Sequence, residues 1–161
     1  MPPTPDRTTV KAAFEALTTQ LRANLVADPP TAAKPFLRVE GGAAAPTAYP
    51  RPHLTVYLTR TRPIGATQND KIVAVTMTLR VVSDVFDVDP HAALLDKIGA
   101  VDDFLDSVAD SGVTEGAEGF DDRVWTFDFP TGPAGARLAT ASAAQTFVVK
   151  VERQQNRAPA S

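Results

Sequence analysis

The side chains that most often carry chemistry are few in this sequence and poorly grouped. Neither of its two histidines, His53 and His91, has a second histidine at metal-ligand spacing, and there is no cysteine. Tetrahedral zinc and thiolate chemistry are therefore not expected. His91 falls in the first turn of a predicted helix, where the macrodipole disfavours an imidazolium. Asp84, Asp87 and Asp89 lie at near-alternate positions in SDVFDVD, and such carboxylates can converge on Ca²⁺. The run lacks the glycine and distal glutamate of an EF-hand, so strand termination and helix capping by Asp89 are the plainer roles. Glu115, Glu118, Asp121 and Asp122 form a second acidic cluster in a glycine-containing loop. Glu115 and Glu118 would be the only acid/base pair on offer, and no apolar pocket is evident around them. No serine sits in G-x-S-x-G, and TGPAGA (residues 131–136) lacks the Gly-Lys-Thr/Ser of a phosphate loop. The expectation is a protein with no catalytic residues, no cofactor and no metal: not an enzyme.

The basic residues point to surfaces rather than sites. Arg51, Arg60, Arg62 and Lys71 cluster in sequence with Tyr49 and Tyr57 interleaved, a pattern that can track single-stranded nucleic acid. The net charge of −3 opposes that use, and no nucleic-acid-reading motif is present. A basic rim facing solvent or a partner fits better. Charge is strongly segregated: residues 1–83 carry ten Lys/Arg and five Asp/Glu, residues 84–128 two and thirteen, and residues 129–161 four and one. One acidic and one mildly basic surface follow. Two readings remain open, a solvated acidic face or complementary patches between subunits.

These residues must be positioned by two helices and several strands. Val10, Phe14, Leu17, Leu21 and Leu25 recur at helical spacing over about 6–27, with Thr8 or Thr9 as cap and Asp28-Pro29-Pro30 as stop. FLRVE (residues 36–40) reads as a short strand, and His53–Thr59 alternates through Leu54, Val56 and Leu58. Val73, Val75, Met77, Leu79 and Val81 alternate with Thr76, Thr78 and Arg80 in a long half-buried strand, which forms a hairpin with the strand from His53. The period then changes. Asp89-Pro90 opens a helix that Leu94, Leu95, Ile98, Val101, Leu105 and Val108 make amphipathic, and Ser111-Gly112 ends it. Trp125, Phe127 and Phe129 mark another strand, and Phe147, Val149 and Val151 a last one.

The predicted fold class is α+β: an antiparallel, at most mixed, sheet of four to five strands flanked by two main helices in the order α-β-β-β-α-β-β. A single domain over residues 6–152 is expected, with a loose N-terminus (1–5) and tail (153–161) and long loops at 41–52, 60–70 and 130–144. The loops are rich in Gly, Ala and Pro, or polar, and suit arms that order against neighbours. The opening residues have no apolar core of a signal peptide, and no apolar run approaches ~18 residues, so neither secretion nor membrane insertion is expected.

The opening helix Val10–Leu25, the strand PHLTVYL, the long alternating strand 72–82, the helix entered through Asp-Val-Asp-Pro and the two final strands form a layout of this size and order. It resembles the tail terminator (tail completion) proteins of long-tailed bacteriophages and related tail-like particles. That resemblance implies a small sheet flanked by helices in a homo-oligomeric ring, usually a hexamer. Such a ring caps the tail tube and joins the tail to the head-neck. The implied partners are other copies of the chain, the tail tube protein, head-tail connector or neck proteins, and DNA passing without specific binding. The implied location is the virion tail or neck, assembled in the host cytoplasm. Under this reading Arg51, Arg60, Arg62, Lys71 and Arg137 are candidate contacts to a subunit or the tube. Asp102, Asp103, Asp106, Asp110, Glu115 and Glu118 are a candidate acidic face, toward the channel or a subunit interface. Another neck or head-tail connector protein, or a monomeric α+β ligand-binding module with the loops as lids, are the alternatives.

Overall fold

Alternation at Val73, Val75, Met77, Leu79 and Val81 builds the centre of the molecule, and all five side chains are buried. The structure is a computed structural model that describes residues 9–43, 45, 48–66, 69–84, 90–111, 117–120, 123–129 and 138–152. Along the chain lie α1 (Val10–Leu25), β1 (Arg38–Gly41), β2 (His53–Ala66), β3 (Asp70–Asp84), α2 (Pro90–Ser111), β4 (Ala117–Phe120), β5 (Val124–Asp128) and β6 (Leu138–Glu152). One sheet runs β1-β2-β3-β6-β4, with β5 also paired to β6. The fold is α+β. The sheet is mixed, because β1 pairs β2 in parallel while the other pairings are antiparallel.

Thr9 begins α1: its extended backbone carries a hydroxyl that accepts the Ala12 N–H at 3.0 Å. The chain leaves the helix at Val26, extended, and bridges to Phe36. Ala13, Leu17, Leu21 and Leu25 of α1 and Leu94, Ile98, Val101 and Leu105 of α2 are buried in one cluster with the odd-numbered side of β3. Both helices thus lie on the same sheet face. Leu95, which fits the helical stripe by spacing, is instead 46% exposed.

Three of the expected loops are shorter than their composition implies. The polar run 60–70 is largely strand, since Arg60–Ala66 stay in ladder with β3 through two register shifts. Residues 58–66 are exposed along their whole length, so no buried face exists to create an alternating pattern. The loop 130–144 loses its second half to β6, which pairs β3 without interruption from Leu138–Asp84 to Glu152–Asp70. Ala139, Ala141 and Ala143 form the buried side there, opposite Phe127 and Trp125 on β5. Large aromatics on one strand fill the space above alanines on the next, so the alanines work as strand residues despite poor β-propensity. The glycine-containing loop around Glu115 and Glu118 yields a sixth strand, β4 (Ala117–Phe120), held by backbone pairing to β6 at Phe147–Val149. The strand order is therefore α-β-β-β-α-β-β-β.

The face of the sheet away from the helices carries small and hydroxylated side chains on its central strands. The hydroxyls of Thr76 and Thr146 meet across β3 and β6 at 3.0 Å. At one end of this face Tyr49, from the segment before β2, sets its ring against His53.

Candidate functional site

Three arrangements stand out: an ionic clamp about a buried arginine, a buried histidine, and an exposed hairpin together with an open groove beside α2. The clamp is built by α2, β5 and β6. Asp102 and Asp106 are one turn apart on α2 and so share a face. Arg123, just before β5, reaches between them with a side chain only 7% exposed. Its Nε donates to Asp102 Oδ1 at 2.7 Å, Nη2 to Asp106 Oδ1 at 2.6 Å and to the Asp102 carbonyl at 3.3 Å, and Nη1 to Gln145 Oε1 at 2.7 Å. Trp125 Nε1 donates to the same Asp102 oxygen at 3.1 Å, and the buried Gln145 gives its own N–H to the Thr146 carbonyl at 2.9 Å. Burial alone would lower the Arg123 pKa. The hydrogen bonds and charges of Asp106 and Asp102 outweigh it and hold the guanidinium above its ordinary value. Two carboxylates expected on the acidic face are thus paired within the chain, and their work is to fix α2 against β5 and β6.

Arg123 was legible as an anomaly. It is one of only two bases among the thirteen acids of residues 84–128, and a base in such an acidic segment is a natural internal counter-ion. Gln145 left no comparable trace.

His53 is fully buried at the start of β2. Tyr49 meets it edge-on at 5.6 Å, and Arg38 lies 5.2 Å from the centre of the Tyr49 ring. Neither imidazole nitrogen makes a close, well-aligned hydrogen bond, though the Pro50 and Tyr49 carbonyls lie near the ring, and the Thr55 hydroxyl beside it is unpartnered. Burial pushes the His53 pKa below its ordinary value, with help from the charges of Arg80 and Arg51; the Pro50 and Tyr49 carbonyls pull the other way. The imidazole is therefore held neutral.

Because this pKa is lower folded than unfolded, the unfolded chain takes up the proton first as pH falls. The stability contributed by neutral His53 is complete above the unfolded value of about 6.5 and is lost as pH drops toward the folded-state pKa, by at most ~1.4 kcal/mol per pH unit. Thermal melts between about pH 7.5 and pH 5 should fall more steeply for the wild type than for His53→Gln. Parallel slopes would show that His53 does not titrate with unfolding.

The basic candidates separate. Arg60 and Arg62 pair with Thr76 and Ala74, two apart on the helix-free face, and both are exposed. Lys71 is exposed near the hairpin turn, beside Ala66, on the other side of the pleat. Arg51 is half-buried at the opposite end of β2, roughly 20 Å or more away at ~3.3 Å per residue. Arg137 and Glu115 lie outside the described residues, and so do the side chains of Asp110 and Glu118. Asp103 is exposed and turns away from the clamp. With Asp96, which the sequence reading did not single out, it edges a groove of about 550 Å³ between α1 and α2. Leu25, Leu95, Gly99, Ala100 and Phe104 floor it. A side chain at Gly99 would meet only open space.

Among the described residues no three His, Asp or Glu side chains are grouped to hold a metal. No described helix is long and apolar enough to cross a membrane. Comparison with protein-family models and with curated proteins returns no match.

Proposed function

We propose that the protein is a structural subunit of the tail-terminator kind, assembling as a homo-oligomeric ring that caps a tail tube and joins the tail to the neck. One observation carries this reading: β2 and β3 stay paired as a hairpin through Leu58–Ala66, across two register shifts, although β2 buries no side chain over those nine residues. Ordering backbone costs about 1–2 kcal/mol per residue, and burial is what normally offsets it. An outer strand maintained without burying its own side chains is suited to burial against another chain. The helix-free sheet face beside it, lined by small and hydroxyl side chains, offers a further flat surface for a neighbouring ring. The outward charges are basic on the hairpin, at Arg60 and Arg62, and acidic along α2, at Asp96 and Asp103, and opposite signs on different surfaces set orientation on assembly.

The test is tube growth. Purified protein added to polymerising tail-tube subunits of the particle that encodes it should halt elongation at substoichiometric amounts and leave short tubes. Tube lengths unchanged at any ratio would overturn the proposal.

A further inference from the structure

We infer that the β2–β3 hairpin of one copy docks in the groove between α1 and α2 of the next, with Arg60 and Arg62 facing Asp96 and Asp103 and Ile64 entering over Leu95 and Gly99. The inference names the subunit contact of the ring proposed above and rests on that reading.

Ile64, 48% exposed, and Leu95, 46% exposed, are two of the few large apolar side chains left outside the core, one on each surface. Each lies beside charges of opposite sign to the other's. Asp96 and Asp103 are seven residues apart on α2, so they lie on one stripe about 10 Å apart. Arg60 and Arg62 are separated by about 7 Å along β2, within reach of that spacing for long, flexible guanidinium side chains. No hairpin residue lines the groove of its own chain, so the contact is made between copies. Two different surfaces then meet head-to-tail, and an interface of that type closes into a ring when its rotation permits.

Strand addition is the obvious competitor, because β1 pairs β2 only as far as Val56 and leaves the outer edge of β2 without a strand partner beyond that point among the described residues. That edge is guarded. Pro63 lacks an N–H, and register shifts interrupt the strand between Leu58 and Arg60 and between Pro63 and Gly65. Bulges, proline and charged side chains are the devices that block edge-to-edge pairing. The hairpin therefore offers side chains rather than backbone.

The chain has no cysteine, so single substitutions give clean crosslinks. An equimolar mixture of Ile64→Cys and Leu95→Cys proteins, oxidised in the presence of tail tubes, should give the mixed dimer as its main product. Arg60→Glu/Arg62→Glu introduced into the first, or Asp96→Lys/Asp103→Lys into the second, should cut that yield at least about tenfold. Like charges meeting at an interface cost more than the ~1.4 kcal/mol that a factor of ten represents. Combining the two reversed proteins should restore it. These positions are exposed, and unchanged circular dichroism and melting will show that the variants fold. Same-site dimers as the main product, yields indifferent to charge reversal, or no restoration on combining would overturn the inference. If the reversed proteins still cap tubes, the contact is wrong and the ring reading stands. If the wild type neither crosslinks nor caps, both fall.

Discussion

Arg123→Ala is expected to destabilise the protein by about 3 kcal/mol, the lower end of the range for removing one member of a buried ion pair. The lower end applies because the side chain of Asp102 is 33% exposed and that of Asp106 69%, so water screens part of what is lost. What remains is still costly. The buried Gln145 Oε1 loses the charged Arg123 donor, and of the two side-chain donors to Asp102 described above the Trp125 N–H is left. The two carboxylates should not be equivalent. Asp106→Asn should cost no more than about 1 kcal/mol, as for an exposed pair. Asp102→Asn should cost clearly more, because its Oδ1 is shared by Arg123 and Trp125. Urea denaturation of the three variants gives this ranking directly. Equal and small losses would mean that the clamp does not hold α2 to the sheet.

Phe147→Ala should cost about 3–5 kcal/mol, the largest loss expected from a single truncation here. Phe147 is one of the two largest fully buried side chains, the other being Phe36. It stands on β6 opposite Val75 of β3 and Phe120 of β4. The β3 side is fixed by a ladder that runs the whole length of β6, so the site collapses little and a cavity remains. Phe147→Leu, which keeps most of the volume, should recover more than half of the loss. A loss near 1 kcal/mol for the alanine variant would show that β6 relaxes into the space. It would also mean that β3 and β6 are not the rigid centre described here.

What the sequence disclosed and what it withheld divide along physical lines. α1, α2 and β3 have one buried face each, and a buried face leaves a period of 3.6 or 2 in the residue pattern. The far half of β2 has no buried face, and the first half of β6 buries alanines under aromatics from β5, so both carry the composition of loops; the second half of β6, with Phe147, Val149 and Val151, alternates as a strand. β4 is held by backbone pairing, and parallel pairing of β1 to β2 depends on a chain path that no local pattern records. The acids of α2 were read as a surface because composition counts charges without locating their partners. Arg123 is some twenty residues away in the chain, and it claims two of them. The basic and acidic residues that remain outward, Arg60 and Arg62 on the hairpin and Asp96 and Asp103 on the groove, are fewer and better defined than the charge blocks implied.

The central claim is that this chain works by closing a ring of copies at the end of a tube. Negative-stain images of tail tubes assembled with the purified protein test it most directly. A closed ring of identical subunits, six by the resemblance, is expected stacked on one end of each tube. Bare tube ends, with the protein remaining monomeric in the same mixture, would contradict it.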